Sequence, residues 1–401
     1  MMPCNWICCQ LGAREHYAVP RALHDLQRLS LLFTDAWVNP GSPLGCIRRA
    51  LRERYDSKLV NSLVATATNR LILFEAICRS RGIKGWPLII KRNRWFQKQA
   101  IRTLDASPAS LDIPGHRNVL FAYSYAALEI FRWAKLRGWK TVLGQIDPGP
   151  VEACLVDRLA EEHPNLAVAH KNPPISYWQH WREECDIADV IVVNSNWSRE
   201  GLRKEGVASD KISVVPLAYN LSIASASFSR IYPSVFTTER PLRVLFLGQA
   251  NLRKGIAEVL NAISLVSGSA IELWVVGPVQ IAASQDNPQI KWFGAVPRSR
   301  TAIFYQRADV FLFPTHSDGF GLTQLEAQAW KLPVITTRFC GEVIKDGHNG
   351  IVLETVSGLC IANVLLRLLR KPSELAHMAA NSGVGPSFHI DALGRQLVEL
   401  E

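Results

Sequence analysis

The segment His316-Ser317-Asp318-Gly319-Phe320-Gly321-Leu322-Thr323-Gln324-Leu325-Glu326-Ala327 concentrates residue types that could do chemistry. Two carboxylates, Asp318 and Glu326, stand eight positions apart, with two glycines between them. Glycines let backbone N–H groups approach an anion closely, and a following helix start adds partial positive charge. A carboxylate in the first turn can accept two hydroxyl hydrogen bonds, as a ribose diol offers. The local alternative is that Asp318 caps the helix and Glu326 favours its dipole.

These residues need a scaffold, and the surrounding pattern supplies one. LRVLFL (242–247), IELWVV (271–276), IKWF (290–293), DVFLFP (309–314) and PVITT (333–337) are short apolar runs typical of strands buried on both faces. Helical periodicity separates them, starting from Lys254 and again near 298–307 and 322–331. Alternating strands and helices predict a doubly wound α/β domain, with the Asp318 loop at a strand's carboxyl end, where such sheets bind ligands. The first half repeats the grammar less regularly. Its expected strands are 6–11, 118–123, 140–146 and 189–194, and its expected helices 125–137, 151–162 and 196–205, the last capped by Ser195 or Asn196. Residues 40–117 show little strand character. Residues 219–240, rich in Ser and Tyr, suit a linker.

At 401 residues, 48% hydrophobic and 20% charged, the chain is ordinary in composition, which excludes disordered, collagen-like and coiled-coil classes. The formal charge of +10 points to an anionic partner. Nine scattered cysteines without a C-x-x-C pair argue against a zinc cage and for a reducing compartment. The first residues, MMPCNWICCQLG, lack a basic leader region and are expected to be the first strand. The longest uncharged stretch, 212–229, contains Pro216 and five Ser, so no spanning helix is expected.

In sequence, Asp318-x7-Glu326 resembles the E-x7-E motif of family 4 retaining glycosyltransferases, the GT-B glycosyl transferases group 1. Other segments agree in order: Phe246-Leu247-Gly248-Gln249-Ala250-Asn251-Leu252-Arg253-Lys254-Gly255 is similar to the family's donor-phosphate loop, and Ala188–Ser195 with Lys211–Pro216 to its N-domain exit. Pro333–Thr337 and Val343–Gly350 also match. The resemblance runs over about residues 186–370. It implies two Rossmann-like domains facing a cleft: an acceptor domain over 1–220, a linker over 221–240, a donor domain over 241–386, and a C-terminal helix over 387–401 crossing back to the first domain.

The resemblance also assigns roles. Lys254 would contact the donor diphosphate. Gln249 stands where the family often has Arg, and Arg253 is the alternative source of that charge. Glu326 would hold the ribose, and Asp318, one methylene shorter than the usual Glu, would stand near the transferred sugar. Gly248, Gly319, Phe320 and Gly321 would line the donor, the last three through backbone N–H groups. On the acceptor side, Gly12 and His16 occupy the place of the family's N-domain loop, and Asp147 stands where relatives often carry His. His16 is either a general base or a helix-start residue, and Asp147 an acceptor-side group or a turn residue before Pro148.

The implied activity is retaining, metal-independent transfer of a sugar from a nucleotide-sugar to a hydroxyl in polysaccharide, lipopolysaccharide or glycolipid assembly. No cofactor is expected. Two alternatives remain: a nucleotide-sugar epimerase of the same fold, and a non-catalytic GT-B-like protein binding a glycan or partner. A dehydrogenase is disfavoured because no G-x-G-x-x-G follows a first strand. Arg79 to Arg102 holds eight basic residues and no acidic one, with Lys91, Arg94, Lys98 and Arg102 on one helical face. That face suits an anionic membrane surface or plain solvent. A nucleic-acid partner is not expected. The expected location is cytoplasmic, with peripheral contact on the inner membrane face.

Overall fold

The computed structural model describes residues 4–47, 49–106, 111, 115–169, 171–282 and 286–401. Met1 to Pro3, the head of the expected first strand, and the side chain of Cys46 lie outside them. Two all-parallel sheets form the scaffold. The first orders its strands β3-β2-β1-β4-β5-β6-β7, the second β10-β9-β8-β11-β12-β13. In the first sheet β1 is Cys4–Gln10, β2 Leu29–Thr34, β3 Val64–Thr66, β4 Arg117–Tyr123, β5 Lys140–Gln145, β6 Val190–Val193 and β7 Ile212–Val214. In the second, β8 is Leu242–Leu247, β9 Ile271–Val276, β10 Ile290–Gly294, β11 Val310–Phe313, β12 Val334–Thr336 and β13 Gly350–Val352. The outward-then-back strand order places a switch point at β1/β4 and at β8/β11, and loops at these carboxyl ends meet across a cleft.

Both sheets are covered on two faces, which is why their strands are apolar throughout rather than alternating. Helix α1 (Ala18–Asp25), α2 (Thr68–Ser80), α3 (Gly85–Asp105), α4 (Leu128–Lys135), α5 (Pro150–Glu162), α6 (Ile175–Ile187) and α7 (Asn196–Lys204) belong to the first half. Ser195 caps α7, its Oγ accepting from the Ser198 N–H at 3.1 Å. The second half carries α8 (Ile256–Leu265), α9 (Thr301–Arg307), α10 (Thr323–Ala329), α11 (Gly358–Arg370), α12 (Pro372–Ala380) and α13 (Ile390–Val398). Residues 40–117, opaque in sequence, are mainly α2 and α3, and α3 buries Phe96, Ala100 and Leu104 while Lys91, Arg94, Lys98 and Arg102 stay exposed.

Three features join the halves. Helix α13 packs Leu393 and Leu397 on Tyr17, Ala18, Ala22 and Leu23 around α1, and the Trp6 indole donates to Glu401 Oε1 at 2.9 Å. Helix α5, though it follows β5, buries Leu159 in the core of the second domain. The 221–240 segment is a strap rather than a loose linker. Arg230 donates to the carbonyls of Tyr305, Gln306, Ala308, Trp330 and Lys331, so the negative ends of α9 and α10 balance its buried charge. Among the described residues no helix is long and apolar enough to cross a membrane, and no disulfide joins the described cysteines.

Candidate functional site

Strand β8 ends at Leu247, and the chain turns through Asn251, whose Oδ1 accepts the Lys254 N–H at 3.1 Å. Gly255 then takes φ +78°, and a Cβ there would stand 2.1 Å from the Pro314 carbonyl oxygen. This glycine therefore lets the turn lie against the end of β11 and delivers Lys254 into the cleft. The Lys254 ammonium is buried, lies 4.9 Å from the centre of the Phe313 ring, and contacts the Asp318 carboxylate as an ion pair. Burial, with the Arg253 guanidinium alongside, pulls the ammonium down to about 7, while Glu152 and Cys340 nearby work in the opposite direction.

The Asp318 loop is not arranged as a helix cap. Helix α10 begins at Thr323 with no side-chain cap, and Asp318 Oδ1 instead accepts the Phe320 N–H at 3.1 Å within the loop. That bond takes one of the three N–H groups the resemblance assigned to the donor, because the short Asp side chain reaches only two residues on. Phe320 packs its ring among Leu217, Leu325 and Val343. Gly319 faces the first domain, and a Cβ there would stand 1.9 Å from the Ile146 carbonyl oxygen. The domains thus meet backbone to backbone at this point.

Glu326 lies one helical turn beyond Thr323. Its Oε2 accepts from the Tyr305 hydroxyl at 2.8 Å, Arg298 stands 4.0 Å away, and burial raises its carboxyl above the usual range. Arg298 also reaches the His16 ring, with Nη1 2.7 Å from Nδ1. Burial, Arg298 and Arg21 pull His16 down to about 4. With Nδ1 in contact with the Arg298 guanidinium, His16 joins the two domains across the cleft.

Arg253, the alternative phosphate cation, points elsewhere. It donates to the Ser317 carbonyl at 2.7 Å and pairs with Glu152 of α5 at 3.4 Å, and Ser317 Oγ donates to the same Glu152 oxygen at 2.6 Å. Gln249 is exposed and Gly248 has open space beside it. A cavity of ≈ 500 Å³ is walled by Arg14, His16, Ile146, Lys254, Asp318 and Gly321 among others. The structure therefore gathers Lys254, Asp318, Phe320, Gly321 and His16, and leaves Arg253 outside that wall. Gly12 lies at the β1 exit, its N–H donating to Asp35 Oδ1 at 2.9 Å.

Asp147 at the β5 exit is held by three donors to Oδ1: Tyr125 hydroxyl at 2.5 Å, Gly149 N–H at 2.9 Å and Gln145 Nε2 at 3.0 Å. Tyr125, Tyr305, Arg298 and Glu152 were not singled out in sequence. They act through contacts far apart in the chain, and no local spacing marks them. Among the described residues no three His, Cys, Asp or Glu side chains gather as a metal site.

Residues 241–371 match the family model described as Glycosyl transferases group 1. The second domain belongs to that family. Its relatives include the capsular polysaccharide biosynthesis glycosyltransferase CapM of Staphylococcus aureus, 30% identical over 139 residues, covering 32% of this chain and 37% of CapM. A D-inositol 3-phosphate glycosyltransferase of Xylanimonas cellulosilytica is 28% identical over 245 residues, covering 54% and 58%. The matched stretches thus span less than two thirds of those relatives' own lengths. The solved structure of Anabaena Alr3699/HepE in complex with UDP and glucose superposes over 100% of this chain and 99% of that one, with TM-score 0.60 and 14% identity. The lipopolysaccharide outer core galactosyltransferase WaaB superposes over 98% of each chain at TM-score 0.54 and 13% identity. The group 1 domain and its partner sheet form the two-domain GT-B fold.

Proposed function

We propose that this chain is a glycosyltransferase that moves a sugar, with retention of anomeric configuration, from a nucleotide-sugar to a hydroxyl in envelope polysaccharide, lipopolysaccharide or glycolipid assembly. The observation that carries this is Lys254, a largely buried cation at the cleft mouth of a group 1 domain, in contact with the Asp318 carboxylate. Cleaving the anomeric bond places positive charge on the sugar and negative charge on the diphosphate. A diphosphate at Lys254 would replace Asp318 as its partner, and the fixed ammonium would stabilise the leaving charge. Lys254 supplies that charge without a metal ion. Glu326, oriented by Tyr305, would take the ribose hydroxyls. The resemblance of Asp318-x7-Glu326 to the family 4 motif supports the retaining assignment. The HepE complexes with UDP and UDP-glucose make UDP the first nucleotide to try.

The test incubates the protein with a panel of nucleotide-sugars and glycan acceptors and reads product linkage by NMR, with and without EDTA. An axial donor should give an axial product with EDTA present, and Glu326→Ala should lose at least 100-fold in turnover. Wild-type turnover by that variant would overturn the site. A new sugar formed without acceptor would favour the epimerase.

We also propose that the exposed Lys91, Arg94, Lys98 and Arg102 face of α3 contacts an anionic membrane surface. Vesicles containing phosphatidylglycerol should sediment the protein at low salt, and K91E/R94E/K98E should abolish this. Equal sedimentation by the triple variant would refute the contact.

A further inference from the structure

The first domain holds the donor loop on both sides of Asp318. On one side stands Ser317, fully buried, whose Oγ donates to Glu152 Oε2 at 2.6 Å and accepts from the Trp197 indole N–H at 3.0 Å. On the other side, Ser198 Oγ donates to the Gly319 carbonyl at 3.4 Å. Glu152 belongs to the first turn of α5, and Trp197 and Ser198 to the first turn of α7. The Trp197 ring also meets the Phe339 ring edge to face, with centroids 4.9 Å apart, and the Phe339 carbonyl accepts the Asp318 N–H at 2.9 Å. Side chains of two first-domain helices thus bracket Asp318.

Glu152 reaches the lysine turn as well. The same Oε2 stands 3.4 Å from Arg253, whose guanidinium also donates to the Ser317 carbonyl at 2.7 Å. Arg253 and Ser317 are the chain neighbours of Lys254 and Asp318. One carboxylate oxygen therefore ties together the two segments that carry that ion pair. The Glu152 side chain is only 17% exposed. A buried ion pair adds little stability over apolar packing, because desolvation offsets the attraction. What it supplies is direction, since charge-assisted hydrogen bonds are short and oriented.

We propose that Glu152 is a positioning residue for glycosyl transfer, setting from the first domain the placement of Asp318 and Lys254 in the second. The inference rests on the glycosyl-transfer reading and adds a residue that reading does not use. Nucleotide binding draws on Lys254 and Glu326, both in the second domain. Turnover also needs Asp318 near the transferred sugar, and Asp318 is placed through Ser317 while α5 and α7 lie against the loop. Glu152 therefore couples turnover, but not nucleotide affinity, to the closed arrangement of the domains. It also keeps Arg253 neutralised; once released, Arg253 adds positive charge beside Lys254.

The experiment compares wild type, Glu152→Gln, Ser317→Ala and the double variant. Calorimetry reads the affinity for UDP, GDP and ADP, and a coupled assay reads cleavage of UDP-glucose, GDP-mannose and ADP-glucose, to water or to added glycans. Glu152→Gln keeps the side chain's shape and an acceptor oxygen for Ser317 but removes the charge that holds Arg253. Ser317→Ala removes the hydroxyl and leaves the Glu152–Arg253 pair. Each should lower kcat by about tenfold or more, while nucleotide affinity stays within about threefold or, in Glu152→Gln, tightens. The double variant should fall no more than about threefold below the slower single variant, because both cut one link. Equal losses of affinity and turnover would mark a merely structural contact and overturn the positioning role alone. Turnover within about twofold of wild type in either single variant, or losses that multiply in the double variant, would do the same. A wild-type protein that binds none of these nucleotides, or cleaves none of these sugars, would overturn the transfer reading and the positioning role with it.

Discussion

At the scale of single residues, Lys254 and Asp318 hold each other in the free protein, and the consequence is a pH dependence with a defined sign. The Lys254 ammonium, normally near 10.5, is pulled down to about 7, so it is charged below that value and progressively neutral above it. Nucleoside-diphosphate binding needs the charged form. UDP affinity should therefore weaken as pH rises through 7 to 9, with a proton taken up on binding in that range. Calorimetry in buffers of different ionisation enthalpy reads both quantities, and a flat affinity would contradict the assignment. A charge-assisted contact contributes about 1.5–3 kcal/mol, so Lys254→Ala should lose about 10- to 100-fold in affinity. Asp318→Asn frees Lys254 from its competitor and should bind UDP at least as tightly as wild type while turning over more slowly. The D-x7-E pair and Lys254 were legible because their spacing lies within one loop and one helical turn. The pairing of the two with each other was not, since 64 positions separate them.

At the scale of elements, apolar runs with flanking turns, such as β8, β9 and β11, stood out from pattern alone, and so did three-residue β12 within PVITT. Strand β2, six residues long but interrupted by Ser30, did not, nor did the three-residue β3 and β13. The 221–240 strap looked like a linker because nothing in its composition says that Arg230 will find five carbonyls from α9, α10 and the turns after them. Likewise, no local spacing marks that Ile89, Asn93 and Phe96 of α3 line a space shared with Tyr125 and Asp147. The turn that carries Lys254 yields a sharper test. Gly255→Ala would place a methyl group against the Pro314 carbonyl at a positive φ. It should cost more than about 2 kcal/mol, with a matching fall in Tm. A change within about 0.5 kcal/mol would mean that the turn relaxes freely.

At the scale of the whole molecule, the two sheets are locked together by contacts that meet at the cleft. Leu159 of α5 is buried in the second core, Arg253 and Ser317 share Glu152, His16 meets Arg298, and Gly319 touches the β5 exit. Closure places the donor loop beside Asp147, which joins the two half-sites. Gly319→Ala should prevent that approach, because its methyl group would overlap the Ile146 carbonyl. The expected outcome is a larger radius of gyration by X-ray scattering and at least 100-fold lower turnover. UDP binding to the second domain should remain within about threefold, since Lys254 and Glu326 stay in place. Loss of UDP binding in equal measure would show that the donor site is not built by the second domain alone.

The most direct measurement is isothermal titration of UDP, GDP and ADP into the wild-type protein and Lys254→Ala at pH 6.5, with EDTA present. The predicted result is binding of one nucleotide to wild type that survives EDTA and falls at least tenfold in the variant. Binding that vanishes with EDTA, or that Lys254→Ala leaves unchanged, would contradict a donor site built on this lysine.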